Sequence, residues 1–374
     1  MEFIDLKRQY AAYKNEINVS IQEILDKSRF ILGEPVSALE EKLSRYVGQK
    51  GAVGVASGTD GLLLSLMALD VRAGDIVITT PFTFIATAEV ISFLGARPVF
   101  SDIDPETFNL DVEKLVQTIE ELKSKNKKPK GIIAVSLYGQ CPDMDELVGL
   151  SEENELFLIE DACQSFGAKY KGHLSCGLTP ISVTSFFPAK PLGCYGDGGM
   201  VFAKNDAILE RIESLRNHGQ KKRYLHEEIG LNSRLDALQA AILLVKFKYF
   251  EEEIENRNKA ACIYNELIKG TGLPISVPVV RPDRTSVFAQ YTIRIPGGKR
   301  DRVRDVLAQK GIPTAIHYPI PLHLQPCFAG LGYKEGAFPE AERASKEVLS
   351  LPMHPFITKE EQEQIVEAIK EALT

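Results

Sequence analysis

The sequence predicts an α/β protein: a mostly parallel sheet with helices on both faces in a large domain, then a smaller C-terminal α+β domain. Three observations predict it. From about residue 50 to 205, short apolar runs alternate with helical patterns, and strand, helix, strand at that spacing builds parallel sheets. A long helical pattern then runs from Arg234 to about Ile268 and links the two parts. Beyond it Pro274, Pro278 and Pro282 mark a connection to one further strand and three helices. A chain of 374 residues is long enough for two cores. The expected division is 1–250 for the large domain with its N-terminal segment, and 251–374 for the small one.

The expected strands are Ala52–Ala56, Asp75–Thr80, Arg97–Asp102, Ile132–Leu137, Leu156–Asp161, Val183–Phe187 and Met200–Ala203. Each is a short, nearly continuous apolar run, as buried strands require. Helical patterns lie between them at Gly61–Ala68, Ile85–Leu94, Val112–Leu122 and Met144–Glu152. In the C-terminal part a strand is expected at Gln290–Ile295 and helices at Asp301–Gly311, Glu340–Leu349 and Lys359–Leu373. No internal repeat or low-complexity segment interrupts the chain.

Composition bounds the function. Hydrophobic residues make up 44% and charged residues 25%, as in ordinary globular proteins. A net charge of −7 argues against a dedicated nucleic-acid binder. The one basic run, Lys123 to Lys130, reads as a solvated loop. Six scattered cysteines form no C-x-x-C pair and no zinc spacing, so free thiols in a reducing compartment are expected, and no metal. No apolar run reaches the length of a membrane span, and Met1–Arg8 lacks the apolar core of a signal peptide. The expectation is a cytoplasmic protein.

The chemistry starts from Lys190. It lies between the apolar run Ser185-Phe186-Phe187-Pro188-Ala189 and the turn Gly196-Asp197-Gly198-Gly199. A partly desolvated amine is easier to deprotonate and more nucleophilic, which makes Lys190 a candidate Schiff-base lysine. A surface lysine on a turn is the competing reading. Asp161, at the end of an expected strand, shifts the balance. Pyridoxal 5′-phosphate (PLP) needs a lysine for its aldehyde and a carboxylate to keep its ring nitrogen protonated. Gln164, three residues after Asp161, can bond the ring hydroxyl. Ser57-Gly58-Thr59-Asp60-Gly61 follows the first strand and opens a helix. It reads either as a phosphate cup or as an N-cap, with Thr59 or Asp60 capping. Ser185 can donate to the same phosphate. Phe82 reads as core packing. Glu160 alternates away from Asp161 to the other face.

Asn232 and Arg234 precede the long helix, where Arg234 can grip a carboxylate or make a surface ion pair. His317-Tyr318-Pro319 lies in the small domain, where it can close over a substrate. The other five histidines read as structural.

Jointly, Ser57–Gly61, Glu160–Gln164, Ser185–Gly199, Arg216–Gly219 and Gly230–Gln239 resemble the DegT-type nucleotide-sugar aminotransferases over nearly the whole chain. Phe186–Gly199 and His317–His323 are most similar to the branch acting on UDP-2-acetamido-2-deoxy-3-oxo-D-glucuronate. The resemblance implies PLP-dependent transferase fold type I and assigns roles. Lys190 carries the cofactor and is catalytic. Asp161 binds the ring nitrogen, Gln164 the ring hydroxyl, and Gly58, Thr59, Asp60 and Ser185 the phosphate. Phe84 stacks on the ring. Asn232 reaches the phosphate of a neighbouring subunit, which implies a homodimer with shared sites. Arg234, His317 and Tyr318 contact the sugar acid. The implied reaction moves an amino group from L-glutamate to the nucleotide-linked keto sugar. The alternatives are amination of a 4-keto sugar, a lysine-retaining dehydratase, and a non-catalytic cofactor-binding regulator.

Overall fold

All seven runs expected between residues 50 and 205 form strands of one sheet in the computed structural model, which describes residues 1–374. They are β1 (Gly51–Val55), β2 (Ile76–Thr79), β3 (Arg97–Phe100), β4 (Gly131–Val135), β5 (Phe157–Asp161), β6 (Ile181–Ser185) and β7 (Gly199–Ala203). Their order across the sheet is β1-β7-β6-β5-β4-β2-β3. Neighbours from β6 to β3 are parallel, whereas β7 runs antiparallel to both β6 and β1. The carboxyl ends of all strands but β7 therefore share one edge. Ligands of open α/β sheets bind beyond that edge.

Helices cover both faces. They are α1 (Leu6–Lys27), α2 (Glu34–Val47), α3 (Gly58–Ala68), α4 (Ala86–Phe93), α5 (Val112–Ser124), α6 (Met144–Glu153), α7 (Asp206–Leu215) and α8 (Ala237–Lys246). One core joins α3 and α7 to the sheet through Leu62, Leu66, Val183, Val201 and Leu215. On the other face Leu115, Ile119, Met144 and Leu147 pack on Ile78, Ile132 and Leu158. The sequence reading passed over α1 and α2. Here α1 packs along α8, with Ile17 against Ile242 and Val245 and Ile24 against Ala237 and Ala241.

Three expectations need correction. The helix opening after Ser57 is capped by Ser57, whose Oγ accepts from the Asp60 N–H at 3.0 Å, not by Thr59 or Asp60. The helical pattern from Arg234 is two helices, α8 and α9 (Phe250–Gly270), broken at Phe247–Tyr249. Tertiary packing makes the break: Tyr249 leaves the helical region at φ −106° and ψ 1°, and its ring stacks on Tyr13 of α1 at 4.1 Å. The helix expected at Glu340–Leu349 ends at Glu347, and Val348–Leu351 is a strand.

That strand, β9, pairs antiparallel with β8 (Tyr291–Arg294). Helices α9, α10 (Arg300–Gln309) and α12 (Lys359–Leu373) enclose the pair in a second core with Tyr264, Val303, Leu307, Leu349 and Ile365. Helix α11 (Pro339–Glu347) sits where the two cores meet. Asp102, just past β3, accepts from the Glu340 and Ala341 N–H groups at 3.0 and 2.9 Å and so caps α11 from across the junction. No helix is long and apolar enough to cross a membrane.

Candidate active site

The segment after β6 folds back on itself and presents Lys190. The Cys194 N–H donates to the Phe186 carbonyl at 2.7 Å and closes the loop. Inside it the Lys190 N–H donates to the Phe187 carbonyl at 2.8 Å. A Cβ on Gly193 would stand 2.4 Å from the Pro188 carbonyl oxygen, so only glycine lets the backbone return this closely. Lys190 itself is half-buried.

Asp161 closes β5 and is 5% exposed. Its Oδ2 accepts from the Thr87 Oγ at 2.8 Å and its Oδ1 from the Cys163 N–H at 3.3 Å. Thr87 is in turn bonded to Thr83 at 3.2 Å. No basic side chain lies within ion-pair distance of the carboxylate. A buried carboxylate is costly without a cationic partner. A protonated pyridine nitrogen is such a partner. Glu160, one residue earlier, points to the opposite face as expected and is fully buried. It accepts from Ser136, Ser175 and the Cys176 N–H at 2.7–2.9 Å, and burial pushes its pKa up.

Gln164 and the small domain meet over Asp161. The Gln164 amide donates to the Tyr318 hydroxyl at 3.2 Å and accepts from the Tyr138 N–H at 2.9 Å. Tyr138, at φ +57°, sends its hydroxyl to the His317 carbonyl. The His317 Nδ1 faces the Ser350 hydroxyl at 3.0 Å. Burial, and secondarily the Lys190 ammonium, pull the His317 pKa down to about 4, so its imidazole is neutral at physiological pH. Burial pushes the Tyr318 hydroxyl up. Phe82 is fully buried in the core, whereas Phe84 is 54% exposed, its ring 6.3 Å from that of Tyr318.

The N-terminus of α3 lies beside β6 because β7 bridges β1 and β6, with Gly199 opposite both Val55 and Ser185. Thr59 and Asp60 occupy the first turn. A Cβ on Gly58 would meet Cys163 Sγ at 2.7 Å and the Ser185 Cβ at 3.0 Å. Gly58, Ser185 and the strand carrying Asp161 are thus brought together. Exposed N–H groups at such a helix start suit a phosphate. The buried carboxylate, the lysine and this cradle fit PLP.

Asn232 and Arg234 flank Ser233, whose Oγ accepts from the Ala56 N–H at 3.4 Å just ahead of the start of α3. Asn232 is exposed and bridges to Asn217. Arg234 donates to the Asn217 Oδ1 at 2.6 Å, and its buried Nε has no partner. The sequence reading missed Thr87 and Tyr138. Both follow strand ends, β2 and β4, and that position is the signal that could have found them.

The DegT/DnrJ/EryC1/StrS aminotransferase family model matches residues 11–370. The chain is 47% identical to the UDP-2-acetamido-2-deoxy-3-oxo-D-glucuronate aminotransferase of Pseudomonas aeruginosa, over 96% of each protein. It is 46% identical to a pleiotropic regulatory protein of Geobacillus stearothermophilus, over 98% of this chain and 97% of that protein. The fold superimposes on a DegT DnrJ EryC1 StrS aminotransferase from Brucella abortus with a TM-score of 0.95, at 38% identity, covering 100% and 99% of the two chains. It also superimposes on the PLP form of the putative sugar aminotransferase Spr1654 from Streptococcus pneumoniae, with a TM-score of 0.89 at 25% identity, covering 96% of each.

Proposed function

The chain belongs to the DegT/DnrJ/EryC1/StrS aminotransferase family of PLP-dependent nucleotide-sugar aminotransferases, and from that premise we propose that its acceptor is UDP-2-acetamido-2-deoxy-3-oxo-D-glucuronate, aminated at C3 with L-glutamate as donor. The observation that carries the sugar assignment is the kinship with the Pseudomonas aeruginosa enzyme of that activity. The electrostatics of the proposed sugar contacts add support. His317 is neutral and offers a hydrogen bond without a charge. Arg234 is then the cation for the sugar carboxylate, with an unpartnered Nε to spare.

In this reading Asp161 holds the ring nitrogen, with Thr87 and the Cys163 amide fixing its carboxylate. Gln164 faces the ring hydroxyl, and Gly58, Thr59, Asp60 and Ser185 receive the phosphate. Phe84 covers one face of the ring. PLP, when bound, supplies an electron sink for the carbon that loses its proton. Lys190 is the base and acid of both halves: its amine takes the proton from the donor's Cα and later delivers one to C3 of the sugar. Tyr318 and the neutral His317 close the small domain over that carbon and exclude water. Asn232, exposed in the single chain, completes the phosphate site of a second copy in a homodimer. The product serves the synthesis of a surface polysaccharide in the cytoplasm.

The test is an absorbance titration of the PLP-loaded protein. Loss of the cofactor's long-wavelength band with L-glutamate, and its return with the 3-oxo-glucuronate, is the expected result. Loss without return would reject this sugar and send the search to 4-keto sugars. No response to any amino donor would reject transamination and leave a regulatory role.

A further inference from the structure

Helix α8 ends in a lysine that the site above does not use. Lys246 is 2% exposed and has no carboxylate within ion-pair distance. Its Nζ donates to the Gly193 carbonyl and lies 5.1 Å over the Tyr195 ring. Two turns earlier on the same helix, Gln239 accepts from the Tyr195 N–H at 2.8 Å and donates back to the Tyr195 carbonyl at 3.3 Å. Residues seven apart share a helix face, so this face of α8 grips two consecutive stretches of the loop that carries Lys190. We propose that Lys246 is a positioning residue for Lys190: by holding the Gly193 carbonyl it sets where the Lys190 amine stands relative to a bound carbonyl.

Three observations argue that this contact acts on chemistry rather than on folding. First, a buried ammonium without a counterion opposes folding, and an apolar side chain of the same length would fill the site at lower cost. Second, the contact is made close to the reactive amine. The loop is closed at its neck by the Cys194–Phe186 backbone bond and within by the Lys190–Phe187 bond, and Lys246 adds a side-chain tie at Gly193, three residues from Lys190. Third, the environment favours a weakly held proton: burial draws the Lys246 pKa down to about 8, with Glu253 and Cys194 acting to raise it and Arg257 to lower it. Glu253 is itself occupied by Gln9 and Tyr13. The inference rests on the cofactor chemistry of the family and is independent of which sugar is the substrate.

Lys246→Met keeps the length and removes the donor. PLP is added to the apoprotein of wild type and variant, and the rate of appearance of the bound cofactor's absorbance band is followed across pH. The thermal midpoint of each apoprotein is measured alongside. The expected result is a thermal midpoint equal to or above wild type. The rate of band formation drops by roughly tenfold to a hundredfold, the scale on which a misplaced reacting group slows a reaction, and the band's pH midpoint moves. Wild-type rate and pH midpoint in a folded variant overturn the proposal. If Lys246→Met does not fold, Lys246→Gln, which keeps a shorter neutral donor, is read the same way. Failure of both to fold assigns Lys246 to the fold and also overturns it.

Discussion

Asp161 is held by one hydroxyl and one amide, and each bond has a measurable share in what the carboxylate does. Thr87→Val leaves the volume unchanged and removes the Oδ2 partner. A hydrogen bond to a charged group contributes about 1.5–3 kcal/mol, so kcat is expected to fall by roughly tenfold or more while the fold stays intact. Lys190→Ala is expected to abolish both turnover and the bound cofactor's absorbance band; retained transamination would sink the role assigned to that amine. A second residue-scale effect is acid lability. His354 is 2% exposed, and burial draws its pKa from 6.5 to about 4. Between those values the unfolded chain binds the proton and the folded chain does not. Stability is therefore complete above about pH 6.5 and lost as the pH falls toward 4. Unfolding free energies from urea titrations at pH 7 and pH 5 are expected to differ by about 1–2 kcal/mol more in wild type than in His354→Leu. An equal difference in both would remove His354 as the cause.

At the scale of elements, the site is a set of strand ends. β1, β5 and β6 deliver Ser57, Asp161 and Ser185 to one edge, where Thr87 beyond β2 meets Asp161, and α3 starts there with its free N–H groups. Ser57 caps that helix. Ser57→Ala is expected to lower stability by about 1 kcal/mol, and to weaken PLP binding because the first turn of α3 frays where the phosphate sits; calorimetry and a PLP titration read the two effects separately. Unchanged PLP affinity with lowered stability would detach the helix start from the phosphate. The strands and their order along the chain were legible in the sequence, because each buried run is short, apolar and bounded by polar turns. The helix α11 boundary was not. Residues 348–351 are Val-Leu-Ser-Leu, whose apolar spacing suits a helix or a strand alike, and pairing with β8 decided it, with Ser350 meeting Thr292 at 2.9 Å.

At the scale of the whole molecule, the proposed homodimer makes a prediction that no single chain can satisfy. Lys190→Ala and Asn232→Ala each remove one of the two side chains that the proposed shared site draws from different copies. If each site takes Lys190 from one copy and Asn232 from the other, a mixed dimer of the two inactive variants holds one intact site. Unfolding and refolding an equal mixture is then expected to restore about a quarter of the wild-type activity, from random pairing of copies in a twofold dimer. No recovery would place both residues in one subunit's site. The sequence by itself determined the strands, their alternation with helices, the glycine-bounded lysine loop and the strand-end Asp161, because burial periodicity and backbone freedom are local properties written residue by residue. The tertiary structure alone decided the rest. It brought Thr87 to Asp161 across 74 positions and Tyr318 to Gln164 across 154. It broke α8 from α9 against α1, and set Lys246 under the Lys190 loop. Those contacts join segments far apart in the chain, and their geometry exists only once the sheet order and the packing of helices upon it are fixed.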